Sequence, residues 1–299
     1  MYNIISKTKY TYVFSITLTV LSVISLFVWG LKFGIDFTGG TSMEVKFGNS
    51  VPANQDIQSV LGNLNLKSLI IQATNSGSDI ISYAAVTDSV NQDVWKAISA
   101  KYPDAVQLSA DFRDPSISGE LKKNSLWAIL AAVLGIMAYI AWAFRKVSRP
   151  VESWKYGAGA VIALIHDVLI TVGIFSVLGH FAGIEVGVPF IAALLTILGF
   201  SVHDTIVVYD RTRENLLRSS SKDQFPEIVN RSLNETLVRS INTSLTVLIT
   251  LLAIFIYGGE SIKDFSLALL IGIFFGTYSS IFVASALLVT IYKFQLAKK

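Results

Sequence analysis

Over most of this chain apolar residues do not alternate with polar ones; they run on. Residues 12–31 are twenty positions without a charge, enough to cross ~30 Å of hydrocarbon as a helix. Five further apolar runs follow at about 124–144, 156–178, 186–209, 238–258 and 265–292. The pattern predicts an α-helical polytopic membrane protein with six transmembrane helices. Stretches 124–144, 240–259 and 265–292 contain no charge, whereas the third run holds His166 and Asp167 and the fourth holds His203 and Asp204. Lys7 and Lys9 precede the first run, and no small-residue cleavage site follows Gly30. The first run therefore reads as an uncleaved span.

Between runs one and two the periodicity changes. Residues 41–47, 68–73, 80–86 and 105–112 read as strands, and Asn75-Ser-Gly-Ser as a turn. Residues 54–64 place Ile57, Val60, Leu61 and Leu64 at helical spacing, and a second helix runs from a cap at Asp88 to Ala100 with Val90, Val94, Ala97 and Ile98 on its core face. The order β-α-β-β-α-β predicts a small ferredoxin-like domain. The expected division is 1–33 (tail and first span), 34–120 (ferredoxin-like domain), 121–292 (five-span region with a cytoplasmic loop at 210–237) and 293–299 (tail). Charges mixed with Leu216, Leu217, Ile228, Val229, Leu233 and Leu237 predict surface amphipathic helices in that loop.

Composition agrees with the pattern: 52% of residues are hydrophobic and 15% charged, with a mean hydropathy of +0.57. The absence of Cys rules out disulfides and thiol chemistry. With three His and no H-E-x-x-H, no metal site or cofactor is expected, and no basic run with interleaved aromatics points to nucleic acid. Lys and Arg set the orientation. The tail before span one holds two, 145–155 holds four, 210–239 holds six and the final tail three, against none at 179–185 and one at 259–264. Both termini are therefore expected in the cytoplasm and the 34–120 domain in the periplasm.

Three stretches carry candidate chemistry. In Gly34-Ile-Asp-Phe-Thr-Gly-Gly-Thr41, a motif that includes Thr38, the paired Gly39 and Gly40 permit positive φ and Asp36 is expected to satisfy turn amides ahead of the first strand; a direct role in handling a client is the alternative. His166-Asp167 is either a packing pair inside the bundle or a proton-handling pair. In Gly199-Phe-Ser-Val-His-Asp-Thr205, Asp204 is a carboxylate inside a span, costing ~2.5 kcal/mol or more. Ser201, Asp204, Thr205 and Val208 share one helical face, and Arg239, Asn242, Thr243 and Thr246 form a polar stripe on the next span. The two faces are expected to look at each other. A carboxylate alternately paired with and released by a guanidinium takes up and gives off a proton, and a potential near ~200 mV supplies on the order of 4–5 kcal/mol per charge. The charges leave a static ion pair equally open. The ladder Gly272, Gly276, Ser280, Ala284 predicts close helix packing. An intramembrane protease built on Ser201 lacks a facing His, since His203 lies two residues away and only His166 remains.

Together with Leu237-Val-Arg-Ser-Ile-Asn-Thr-Ser244 and Gly276-Thr-Tyr-Ser-Ser-Ile-Phe-Val-Ala-Ser285, these stretches resemble the SecF family of protein-export membrane proteins, within the resistance-nodulation-division superfamily. The chain departs from the family pattern at His203, where Asn is expected, and at Ala286, where Pro is common. The resemblance implies a non-enzymatic subunit of the bacterial Sec machinery, in the inner membrane. It implies SecD, SecYEG and the accessory YajC as partners, passing contact with preproteins, and use of the proton-motive force late in translocation. It assigns proton coupling to Asp204 and Arg239; the polar positions beside them, Asp167, His166, Ser201, His203, Asn242, Thr243 and Thr246, are the supporting candidates that the sequence pattern itself offers. The alternative is a proton-coupled exporter of small molecules or lipids in the same superfamily.

Overall fold

The computed structural model describes residues 2–48, 52–74, 77–84, 87–145, 151–219 and 224–297. The chain forms two compact units: one comprises the residues up to Leu31, Trp127–Phe181 and the chain from Pro189, the other Lys32–Leu126 and Ala182–Val188.

The second unit is an antiparallel sheet with two helices on one face. After the single turn α2 (Ile35–Thr38) come β1 (Gly40–Lys46), α3 (Asn54–Leu61), β2 (Lys67–Ala73), β3 (Ser78–Ala84), α4 (Asp88–Lys101) and β4 (Val106–Arg113). The strand order β2-β3-β1-β4 is that of the expected ferredoxin-like arrangement. Register explains the core. Met43 opposes Ile81 and Thr41 opposes Tyr83, so alternate residues of β1 and β3 face the helices. Met43, Val45, Ile81 and Tyr83 are buried there against Ile57, Leu61, Val94 and Ile98. Asp79, opposite Val45, points into the same layer and is buried. The helix expected to be capped by Asp88 instead begins at that residue, with extended Thr87 in the cap position. Residues 75, 76, 85 and 86, assigned from sequence to a turn and a strand end, lie outside the described residues. The stretch between spans three and four also belongs to this unit: Phe33 and Val186 form a parallel bridge, and Gln72 donates to the Gly183 carbonyl at 2.6 Å.

The first unit is helical. It contains α1 (Thr8–Val28), the unit's part of α5 (Pro115–Ala143), α6 (Ser153–Phe181), α7 (Val188–Arg218), α8 (Phe225–Tyr257), α9 (Glu260–Ser279), a π-helical stretch Ser280–Ala284 and α10 (Ser285–Ala297). Six helices are long and apolar enough to cross a membrane, the last formed by α9, the π stretch and α10 together. Spans four and five are longer than their apolar cores because the helix continues through charged sequence. The loop expected at 210–237 is thus mainly the end of α7 and the start of α8. Ion pairs at helical spacing support the extension, including Arg218 to Glu214 at 2.7 Å and Arg213 to Asp210 at 2.9 Å.

Small residues let the helices approach. A Cβ on Gly272 would lie 2.2 Å from Ile197 Cδ1, and one on Gly276 2.9 Å from Ser201 Cβ. Two of the ladder glycines therefore pack on α7. At the other end of the bundle Phe144 stacks on Tyr156 at 5.3 Å, and Tyr209 meets Tyr156 edge-on at 5.4 Å. Tyr209 Oη donates to the Ala284 carbonyl at 3.0 Å. That satisfies a backbone acceptor inside the π stretch, where the regular helical ladder is broken.

Candidate functional site

Four polar spans meet in the helical unit: α6 brings His166 and Asp167, α7 brings Ser201, Asp204 and Thr205, α8 brings Ser244, and α9 with its π stretch brings Thr277, Ser279 and Ser280. Buried polar groups must find partners in such a setting. Here they find one another, in two clusters.

In the first, Asp167 is fully buried. Its Oδ2 accepts hydrogen bonds from Ser201 Oγ at 2.6 Å and Ser279 Oγ at 2.7 Å. Its Oδ1 lies 2.9 Å from His166 Nδ1. Beside it, Thr205 Oγ1 is 2.8 Å from Ser280 Oγ, which donates to the Ser201 carbonyl at 3.0 Å. Ser201 therefore serves a carboxylate rather than acting as a nucleophile activated by histidine.

In the second, Asp204 is 2% exposed. Ser244 Oγ on α8 donates to its Oδ2 at 3.3 Å, and Thr277 Oγ1 donates to Ser244 Oγ at 2.6 Å. Among the described residues Asp204 enters no ion pair. The expected facing of Asp204 and Arg239 is not seen: Arg239, Asn242, Thr243 and Thr246 are all exposed, and Ser240 and Ser244 turn inward instead. The reason is helical phase. Ser244 lies five residues beyond Arg239, a rotation of about 140°. The sequence stripe was real, but it points away from this chain's own bundle. His203 is exposed too, one position from the buried Asp204. Ser244, Thr277 and Ser279 were missed as site residues. Their signal is weak, because hydroxyls are common in packed membrane helices.

At the glycine motif, Gly39 has φ of 73° and Gly40 φ of 133°. A Cβ on Gly40 would stand 2.5 Å from the Tyr83 carbonyl oxygen, so the backbone crosses β3 too closely for a side chain. Asp36 was expected to bind local turn amides. It binds a distant one: Oδ2 accepts from the Val188 amide at 2.9 Å, and Oδ1 pairs with Arg113 Nε at 3.3 Å. Thr38 Oγ1 donates back to the Gly34 carbonyl at 3.0 Å.

Comparison with known proteins places this architecture. The family described as "Protein export membrane protein SecD/SecF, C-terminal" matches residues 93–294, and "SecD/SecF GG Motif" matches 24–51. Protein translocase subunit SecF of Thermobaculum terrenum is 44% identical, over 93% of this chain and 90% of its own. The protein of the same name from Haemophilus influenzae is 38% identical, over 93% and 82%. The crystal structure of SecDF, a translocon-associated membrane protein, from Thermus thermophilus superposes with a TM-score of 0.85 at 34% identity. That match covers 97% of this chain but 38% of the larger SecDF chain. With near full-length matches to several translocase subunits of one name, the chain belongs to the SecF branch of the SecD/SecF family of multi-pass membrane proteins.

Proposed function

We propose that this chain is an accessory, non-enzymatic subunit of the bacterial Sec export machinery, working with SecD to draw on the proton-motive force late in preprotein translocation through SecYEG. The observation that carries the reading is Asp204. It is a carboxylate buried within a membrane-spanning helix, held among the described residues by one serine hydroxyl and no cation. Intramembrane carboxylates of this kind are costly and mark ion or proton paths.

Arg239 fits the same reading in a different way from the one its sequence position suggested. An exposed guanidinium with Asn242, Thr243 and Thr246 on one helical face is poorly matched to lipid. It suits the membrane helices of a SecD subunit, a partner suggested by the resemblance of this chain to 38% of SecDF. Closure and opening of that interface would bring Arg239 nearer to or further from Asp204, changing the affinity of the carboxylate for a proton. The Lys and Arg distribution supports cytoplasmic termini, which puts the ferredoxin-like unit in the periplasm. SecYEG and YajC are the further partners of the reading.

The test is preprotein translocation in inverted membrane vesicles with and without a proton gradient. Asp204→Asn and Arg239→Met are each expected to lose at least tenfold of the gradient-stimulated rate while retaining the ATP-driven rate. Normal gradient stimulation in both variants would make the two residues structural.

A further inference from the structure

Beyond Asp204, the helical unit holds a second buried carboxylate, Asp167, with His166 beside it. An ionised carboxylate only accepts hydrogen bonds. In that state the 2.9 Å contact requires the His166 Nδ1–H to donate to Asp167 Oδ1. The neutral ring then carries its lone pair on Nε2. That nitrogen is buried and meets no partner among the described residues, although His166 as a whole is only 7% exposed. Buried polar atoms are nearly always satisfied. An imidazole bound at one nitrogen and open at the other is the geometry of a relay.

We propose that His166 and Asp167 form a second proton-carrying site, loaded through His166 Nε2, and that this site acts in series with Asp204; the proposal rests on the proton-coupled reading above. The step balances as follows. A hydronium ion that reaches the buried Nε2 gives up its proton there and leaves as water. The Nδ1–H bond breaks and its proton passes to Asp167 Oδ1. The ring ends neutral in the other tautomer, and the carboxylate ends as a neutral acid. The negative charge that drew the Ser201 and Ser279 hydroxyls to Oδ2 is then gone, and both hydrogen bonds weaken.

The consequence falls on α9. Thr277 belongs to the Asp204 cluster through Ser244, and Ser279, two residues on, belongs to the Asp167 cluster. The π-helical stretch starts at the next residue, Ser280. Release of Ser279 therefore frees the segment that also carries the Thr277 contact, at the point where the helix is already irregular. The groups facing Asp167 leave little else to titrate. From α6 there is His166 itself; from α7 and α9 the contacts are the neutral hydroxyls of Ser201 and Ser279. Tyr278 on α9 stacks near the His166 ring at 6.4 Å, and its hydroxyl is held 3.1 Å from Ser15 on α1. No Lys or Arg pairs with Asp167 among the described residues.

The test uses the full chain co-purified with SecD, in two measurements. Infrared difference spectra between acid and alkaline pH are expected to contain a carboxylic-acid C=O band that disappears in Asp167→Asn and persists in Asp204→Asn. A spectrum from which Asp167→Asn removes no carboxylic-acid component overturns the proposal without touching the role of Asp204. In gradient-driven translocation, His166→Gln keeps a donor for Asp167 but cannot relay. It is expected to lose at least tenfold of the stimulation and flatten its pH profile, with thermal unfolding unchanged. Wild-type stimulation in His166→Gln, alongside loss in Asp204→Asn, overturns the proposal even where Asp167→Asn does not fold. Absence of gradient stimulation in the wild type would instead defeat the underlying reading, and the infrared band would still decide the titration of Asp167.

Discussion

Ser244 on α8 donates a hydrogen bond of 3.3 Å to Asp204 on α7, in the position the sequence had suggested for Arg239. Among the described residues this is the one hydrogen bond that Asp204 Oδ2 receives. A bond to a charged group contributes about 1.5–3 kcal/mol, and at this length the lower end or less applies. Ser244→Ala is therefore expected to reduce gradient-stimulated translocation about fivefold, as 1 kcal/mol corresponds to that factor. Ser244→Thr, which keeps the hydroxyl, should recover most of it. Thr277→Val, one bond further out, should have a smaller effect. Equal rates for Ser244→Ala and wild type in the vesicle assay would remove Ser244 from the site.

The approach of α1 to α6 depends on a position that sequence did not single out. A Cβ on Gly173 would lie 2.3 Å from Ser22 Cβ and 2.6 Å from Ser22 Cα, so the helix backbone itself would have to move. The same crossing is tied by Ser25 Oγ to the Gly173 carbonyl at 3.0 Å and by Ser176 Oγ to the Ser25 carbonyl at 2.9 Å. Gly173→Ala is expected to destabilise the bundle by about 1–3 kcal/mol, the usual range for overpacking. Gly135 on α5, where a Cβ would meet nothing within 4 Å, is the control. Gly135→Ala should leave the unfolding temperature in detergent unchanged or raise it slightly. A fall of equal size in both would show that the effect does not come from the α1–α6 crossing.

The six spans were legible because a run of twenty apolar residues has few other destinations. The ferredoxin-like order was legible because period two and period 3.6 alternate visibly between residues 41 and 112. What stayed hidden was non-local. Asp36 could be assigned to a turn from sequence, but its amide partner, Val188, lies 152 residues away. Ser201 and Ser279 meet on Asp167 from two different helices, and nothing in either helix alone says so. On α8 two polar stripes exist, Arg239 with Asn242, Thr243 and Thr246, and Ser240 with Ser244. Periodicity groups each stripe correctly but does not say which one faces the bundle. The charged stripe faces outward, and the small hydroxyls go inside.

The glycine pair ahead of β1 gives a test of backbone geometry. Gly40 has φ of 133°, and a Cβ there would stand 2.5 Å from the Tyr83 carbonyl oxygen. Gly40→Ala meets both a forbidden dihedral and a backbone clash. The first rungs of the β1–β3 pairing, Thr41 with Tyr83 and Ser42 with Ser82, should open. Amide exchange of those residues is expected to accelerate at least tenfold, while β2, on the far side of β3, changes less. Gly77, at φ of 76° with open space around it, isolates the dihedral term. Gly77→Ala should show a smaller effect confined to its own turn.

Asp79 makes the sheet unit sensitive to pH. It faces the helix layer beside Val45, is fully buried, and neither carboxylate oxygen has a hydrogen-bond partner among the described residues. Burial without a donor raises its pKa above the ordinary carboxylate value. The native state therefore holds a proton that the unfolded chain has already released, and stability falls as pH rises. Below the unfolded value, near 3.8, the group is protonated in both states and costs nothing through ionisation. Above the folded value the full cost of the buried charge is present. Asp79→Val suits a strand position and removes both oxygens. Its advantage over wild type should be about 1–3 kcal/mol at pH 7 and should shrink steadily toward pH 3.5. Amide-exchange protection of β1 and β3 in the full chain, compared between the two proteins at each pH, reads this difference directly. A constant advantage across that range would mean that Val stabilises by packing alone and that Asp79 does not titrate with folding.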